Sequence, residues 1–164
     1  MTAMLCASLG ACSTTPASEG LDGGTDDGGA DTELVCDWQV TERPNGVGIL
    51  YAVWGLSSTD VYATSGNIYH FDGAKWTFAY GPESGDVTGL WGSSSTDVFA
   101  VGGHYDSGDQ SKPQSSISHY DGTSWSRTDF PGVGPLHGVW GFGPDDVFAV
   151  GEHNALYHYD GASW

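Results

Sequence analysis

The chain has 164 residues, 26 of them glycine, with an aromatic fraction of 13% and a net charge of −17 from 21 acidic and 4 basic side chains. A surface this negative repels phosphate, which argues against nucleic acid and anionic lipid headgroups as partners. No nucleotide-binding loop, serine-hydrolase elbow or zinc-protease helix motif occurs, and no cofactor is predicted.

Residues 1–12, MTAMLCASLGAC, are small and apolar, carry no charge and are typical of the end of an export signal. The last four, LGAC, resemble the lipobox of bacterial lipoproteins. This resemblance implies cleavage before Cys12, a diacylglycerol on its thiol, and a protein held at the bacterial cell envelope, on the outer membrane or outside the cell, by its lipid anchor alone. No basic residue precedes the apolar stretch, which a start upstream of Met1 would explain. The alternative is an ordinary terminus with a chance LGAC.

Residues 13–35 are rich in Gly, Asp, Ser and Thr and have little apolar mass. Such a segment cannot bury enough surface to offset the entropy of ordering, so a disordered acidic tether is predicted. Its Asp-Gly run lacks the repeated apolar position of calcium-binding nonapeptide repeats, so a calcium site is not predicted there. The three cysteines, Cys6, Cys12 and Cys36, have no zinc-site spacing, and Cys36 is predicted either as a buried free thiol or as the partner of a cysteine beyond this chain.

From about residue 36 the chain is periodic, with related phrases at intervals of about 40 residues. The first phrase reads LYAVWG, VTGLWG and LHGVWG; the second reads DVYAT, DVFAVG and DVFAVG; the third reads IYHFDG, ISHYDG and LYHYDG; the fourth begins at the next tryptophan. Each is short, rich in β-branched and aromatic residues, and bounded by turn residues, while no window has a helical period. Four short antiparallel strands per repeat predict an all-β fold built from β-propeller blades.

The pattern WGSSSTDVFAVG…HYDGxxW resembles the propeller repeats of bacterial surface lipoproteins, which are related to photosystem II assembly factor and sialidase-type propellers. The resemblance covers about 36–164 and implies a partial β-propeller with blades at about 48–80, 85–131 and 134–164, preceded by an outer-strand copy at 36–43. Because closed propellers have at least about four blades, the chain is predicted to be the front part of a longer protein of six to eight blades. The alternative is a ring formed by two self-associating halves.

The repeated histidines are predicted to be structural. In the third strand each shares a face with an aliphatic residue, which favours a buried, hydrogen-bonded side chain at His70, His119 and His158. A shared metal site is not predicted, because equivalent positions in successive blades are rotated about the ring axis and do not converge.

The other repeated residues are also assigned to structure. Asp72, Asp121 and Asp160 open tight Asp-Gly turns, in a DGxxW phrase that resembles the Asp-box of sialidases, itself a structural turn. Asp60, Asp97 and Asp146 follow the turn before the second strand, Trp76 and Trp125 begin the fourth strand, and the core between blades is predicted to hold Trp54, Trp91 and Trp140.

The turns at one edge of the predicted blades are nearly identical between repeats, whereas the second-to-third connections at the other edge differ: SGN, GGHYDSGDQSKPQS and GEHNA. Structural contacts need the same residues in every repeat, whereas residues that bind a ligand can differ between repeats. The variable edge is therefore the predicted binding edge. The middle loop is the best candidate for a polar ligand, and the residues it offers are His104, Tyr105, Asp106, Asp109, Gln110 and Lys112. The alternative is a surface insertion with no function.

The predicted function is that of a non-catalytic binding or scaffold module on a lipid-anchored surface protein. Its expected partner is a polar ligand such as a glycan or a peptide, or another surface protein. One alternative is a sialidase-like enzyme whose active site lies in blades beyond this chain, since sialidases use an arginine cluster and this chain has only Arg43 and Arg127. The other is a purely structural outer-layer protein. No catalytic or metal-binding residue is predicted.

Overall fold

The computed structural model describes residues 12–14, 34–36, 44, 47–82, 85–106 and 109–164, in two compact units, Met1–Glu42 and Arg43–Trp164. In the first unit β1 (Cys12–Thr14) pairs antiparallel with β2 (Leu34–Cys36), and the register sets Cys12 opposite Cys36. The predictions for the export signal, for most of the tether and for the outer-strand copy after Cys36 lie outside the described residues.

The second unit is all-β, as predicted, and consists of three antiparallel sheets that follow one another along the chain. Sheet 1 contains β3 (Ala52–Ser57), β4 (Asp60–Ser65), β5 (Asn67–Phe71) and β6 (Trp76–Tyr80). Sheet 2 contains β7 (Asp86–Ser94), β8 (Asp97–Asp106), β9 (Asp109–Tyr120) and β10 (Trp125–Pro131). Sheet 3 contains β11 (Leu136–Gly143), β12 (Asp146–Gly151) and β13 (Leu156–Tyr159). Within each sheet consecutive strands are neighbours, so every connection is a hairpin.

Each sheet has two distinct faces because side chains alternate along a strand. The register of sheet 2 places Trp91 opposite Phe99 and Phe99 opposite His119, so the three rings share one face. We call this face, with its counterparts in sheets 1 and 3, the Trp face. The opposite face carries Leu90 in sheet 2 and is called the front face.

The sheets pack in series, the Trp face of one on the front face of the next. In the first core, Tyr62 and Ile68 of sheet 1 pack with buried residues of sheet 2, namely Val87, Leu90, Val98 and Ala100. In the second core the Trp face of sheet 2 packs with sheet 3, and the buried residues are Phe99, Val101, Ile117, Leu136, Val147 and Ala149. The sequence repeat is therefore also a repeat of the packing interface.

A tryptophan lies on a glycine at both interfaces. A Cβ atom built on Gly92 would lie 2.6 Å from Cη2 of Trp54, and one built on Gly141 would lie 2.8 Å from Cη2 of Trp91. Because these separations are below van der Waals contact, any side chain at either glycine would displace the ring. The contact common to all three copies is with the main chain: a Cβ built on Gly55, Gly92 or Gly141 would lie 2.7 Å, 2.7 Å or 2.8 Å from the carbonyl oxygen of the aspartate that begins the next strand, which explains why glycine follows the tryptophan in each copy.

Trp140 differs from the expectation that it fills a core. Its side chain is 54% exposed, and it meets Phe142 edge-to-face with 4.4 Å between the ring centroids. The physical reason is that no described sheet covers the Trp face of sheet 3, whereas sheets 2 and 3 cover Trp54 and Trp91.

The Asp-Gly turns hold their carboxylates by backbone hydrogen bonds. Asp121 Oδ1 accepts the amide N–H groups of Thr123 and Ser124, each at 2.8 Å, and Asp72 and Asp160 accept from the same positions of their own turns. These bonds hold the pKa of all three carboxyl groups below the usual aspartate value.

We expect these turns to lose their contribution to stability in acid. A lowered folded-state pKa means that the unfolded chain binds protons more readily, so the contribution is full above the unfolded pKa of about 4 and is lost as the pH falls through the folded values. Urea unfolding between about pH 3 and pH 6 measures it. A variant with asparagine at all three positions keeps the acceptor oxygens and should show a flatter acid slope than the wild type. Identical slopes would contradict the effect.

Candidate functional site

The repeated histidines form one pair with an aspartate in each sheet. The Nε2–Oδ1 distances are 2.7 Å for His70 and Asp60, 2.6 Å for His119 and Asp97, and 2.8 Å for His158 and Asp146. His119 and His158 also stack on the phenylalanine of the second strand, with 4.2 Å and 4.3 Å between ring centroids, whereas His70 meets Tyr62 at 4.5 Å with the rings tilted by 32°. The histidines are hydrogen-bonded within their own sheets but are not buried as expected: their side chains are 29%, 32% and 48% exposed, because the paired aspartate lies at the edge of each sheet. Among the described residues, no group of three or more His, Cys, Asp or Glu side chains is arranged to hold a metal ion.

The predicted middle loop is a hairpin extension rather than a loop. Strands β8 and β9 continue past the main sheet, with His104 opposite Gln114, Tyr105 opposite Pro113, and Asp106 opposite Asp109. These three pairs hold part of the insertion as an antiparallel ladder rather than as an open loop. Of the other candidates, Gln110 and Lys112 belong to β9.

The extension carries Tyr105 to the neighbouring sheet. Its hydroxyl donates a hydrogen bond to Oε2 of Glu152, which follows β12. On the other oxygen, Glu152 Oε1 lies 3.2 Å from Nε2 of His137, near the start of β11. We call Tyr105, His137 and Glu152 the rim cluster; it joins sheets 2 and 3 at the edge where the connections between strands vary.

A tight turn positions Glu152. The Gly151 N–H donates to the Ala155 carbonyl at 3.1 Å, and the Ala155 N–H donates to the Glu152 carbonyl at 3.0 Å. The two residues between Glu152 and Ala155, namely His153 and Asn154, have φ values of 53° and 61°. Positive φ at both central residues is the geometry of a type I′ hairpin turn, which is tight and matches the strand twist. Glu152 is therefore fixed at the base of a short turn.

The electrostatics of the rim cluster favour a charged carboxylate and a neutral phenol. The hydrogen bond from the Tyr105 hydroxyl is the largest cause of a lowered pKa at Glu152, and the hydrogen bond with the His137 imidazole is the second. The bond to Glu152 in turn raises the pKa of Tyr105. All three side chains are partly exposed, with 38% for Glu152 and 55% for His137. The rim cluster thus presents a hydrogen-bond acceptor, an imidazole and the edge of an aromatic ring to solvent.

His104 lies beside the rim cluster but outside it. It precedes Tyr105 on β8, so the two side chains leave opposite faces of the strand. Its ring is half-buried, and Nδ1 is fully covered with no hydrogen-bond partner among the described residues. No described contact connects it with Glu152.

Two members of the rim cluster are absent from the candidates predicted by sequence. Glu152 takes the repeat position of Gly66 and Gly103, and His137 takes that of Tyr51 and Thr88. A charged side chain in place of a repeated glycine is the signal that could have identified Glu152, whereas the position of His137 differs in every repeat and offers no such signal.

No helix in the described part of the chain has the length and apolar character that a membrane crossing requires. Comparison with known proteins adds no relative: no protein-family model, no curated protein and no solved structure matches the chain. The function of the rim cluster has to be inferred from the chemistry of its own side chains.

Proposed function

We propose that the three sheets are blades of a β-propeller in a lipid-anchored surface protein of bacteria, and that this domain is a non-catalytic module that binds a neutral glycan at the rim cluster. The lipid anchor would be carried by Cys12. The observation that carries the binding proposal is the contact of Tyr105 with Glu152 across two sheets, at the one edge where the repeats differ.

The chemistry of the rim cluster suits sugar hydroxyl groups. A carboxylate accepts hydrogen bonds from two hydroxyls, an imidazole donates or accepts, and an exposed aromatic ring packs against the apolar face of a sugar. The net charge of −17 disfavours anionic ligands, which leaves neutral glycans as the better match. Glycoside hydrolysis uses a pair of carboxyl groups, whereas the rim cluster supplies one, and this favours binding over catalysis.

The test is a glycan array followed by calorimetric titration of the sugars that bind. We expect Tyr105→Ala and Glu152→Gln each to weaken binding by at least about tenfold, since each removes a hydrogen bond to a charged group. Asp145→Asn is the matched control, because it removes a carboxylate from the β11–β12 turn at the opposite edge of the same sheet.

Three outcomes would contradict the proposal. The first is a wild-type protein that binds no glycan on the array. The second is binding that both rim variants retain, and the third is binding that Asp145→Asn reduces equally. Turnover of a fluorogenic glycoside would replace the binding proposal with an enzymatic one.

A further inference from the structure

Two sheet faces of the second unit are open to solvent. On the Trp face of sheet 3, Trp140 is 54%, Val150 is 47% and Leu156 is 67% exposed. On the front face of sheet 1 Val53 is 71% exposed, and Leu50, which precedes β3, is 46% exposed. Contiguous exposed apolar side chains of this size mark an interaction surface.

The open residues are the repeat counterparts of residues that are buried elsewhere in the chain. Val150 and Leu156 correspond to Val101 and Ile117, which are 1% and 2% exposed in the second core. On the other open face, Val53 corresponds to Leu90, which is 7% exposed in the first core. Each open face therefore has the composition of a face that the chain already buries.

The two open faces are complementary to each other. Within the chain a Trp face always packs on a front face, with Trp54 on Gly92 and Trp91 on Gly141. The third tryptophan in this series is Trp140, which covers no glycine, and the third glycine is Gly55. The atoms nearest to a Cβ built on Gly55 belong to Asp60 and Val61 of its own sheet, so no ring lies on it.

We infer that the open Trp face of sheet 3 binds the open front face of sheet 1 in a second copy of this chain, with Trp140 of one copy on Gly55 of the other. The contact is heterologous, because it joins two different surfaces. If each of two copies supplies both faces, all the sheets are covered, and the resulting six sheets fall within the range of about four to eight that closed propellers use.

Charge provides a separate signature of this interface. Each copy carries a net charge of −17, so two copies repel each other, while the interface itself is apolar. Added salt screens the repulsion and leaves the apolar contact intact. We therefore expect association to strengthen as salt is raised, which is opposite to the behaviour of an interface held by ion pairs.

The experiment is sedimentation of the full chain over a concentration series, alone and in mixtures. The wild type should form a pair of copies. Val53→Lys and Trp140→Lys each block one face, and each should raise the dissociation constant at least about a hundredfold, because either buries an unpaired charge. An equimolar mixture of the two variants should associate more than either variant alone, since the Trp face of Val53→Lys still fits the front face of Trp140→Lys. It should associate less than the wild type, because such a pair has one intact contact instead of two. Ala74→Lys, in the exposed β5–β6 turn, adds the same charge away from both faces and should associate like the wild type.

The mixture separates this proposal from other modes of association. If the pair instead joined the same face of both copies, the variant with that face intact would still associate by itself. Mixing the two variants would then not increase association. A wild type that stays monomeric, a mixture that associates no more than either variant alone, or a wild type that forms a series of larger open assemblies would overturn the proposed closed pair. If circular dichroism shows that Trp140→Lys does not fold, Leu156→Lys on the same open face takes its place.

Discussion

The Phe99→Ala variant is expected to lose about 4 kcal/mol of the free energy of unfolding, the usual cost of deleting a fully buried aromatic side chain. Phe99 is 0% exposed and is the largest fully buried side chain among the described residues. Its ring stacks on His119 with 4.2 Å between centroids, and it meets Tyr159 of sheet 3 at 5.5 Å and Trp164, which follows that sheet, at 5.8 Å. Truncation leaves a cavity between sheets 2 and 3 that two rigid sheets cannot collapse to fill. Urea denaturation followed by circular dichroism measures the loss.

Phe148→Ala is the matched control, because Phe148 occupies the same position of an identical DVFAVG phrase. Its ring stacks on His158 at 4.3 Å, but it lies on the open Trp face of sheet 3 and is half-buried. We expect a cost of about 1–2 kcal/mol. Both variants are compared in the Val53→Lys background, which keeps a second copy from covering Phe148. Equal losses would mean that the two sheets do not pack in series.

The Gly102→Ala variant is expected to lose about 3 kcal/mol, for a reason that lies in the backbone. Gly102 is opposite Val87 at an irregularity between β7 and β8, and a Cβ atom built on it would overlap the carbonyl oxygen of Asp86. Since that oxygen belongs to the main chain, no rotamer change can relieve the clash. The first repeat carries Ser65 at this position. There β3 begins only at Ala52, opposite Thr64, so no residue of β3 faces the serine.

Gly138→Ala is the control for this prediction. A Cβ atom built on Gly138 meets only Cγ2 of Val150, at 3.2 Å, and that side chain lies on an open face and can move. The first repeat already carries alanine here, at Ala52. We expect a change of less than about 1 kcal/mol, because alanine also restricts the unfolded chain. A Gly102→Ala variant as stable as Gly138→Ala would show that β7 and β8 do not approach as closely as described.

The strands could be predicted from the sequence because their determinants are local. Four strands begin at the aspartate of an Asp-Val pair, namely Asp60, Asp86, Asp97 and Asp146, where a turn residue meets an apolar run. The hairpin extension could not be predicted in this way. The stretch from Gly103 to Ser115 is rich in turn-forming residues, which favours a loop, and strand pairing overrides that preference.

The rim cluster could be predicted only in part. Tyr105 is a candidate by sequence because it lies at the variable edge, but its partner Glu152 is 47 residues away. Their contact depends on how sheets 2 and 3 stack, which no local pattern contains. The exposure of Trp140 also depends on how the sheets stack. The repeat predicts a buried tryptophan, but sheet 3 is the last described sheet in the series, and no described sheet covers its Trp face.

The stacking of the sheets through tryptophan and glycine is measured most directly by nuclear Overhauser contacts between indole and glycine Hα protons. We expect contacts from Trp54 to Gly92 and from Trp91 to Gly141, each joining two sheets. Cross-strand contacts that join Phe99 with Phe148 would place the repeats side by side in one sheet. That result, with no contact between indole and glycine, would contradict the packing on which the rim cluster and the proposed pair of copies both depend.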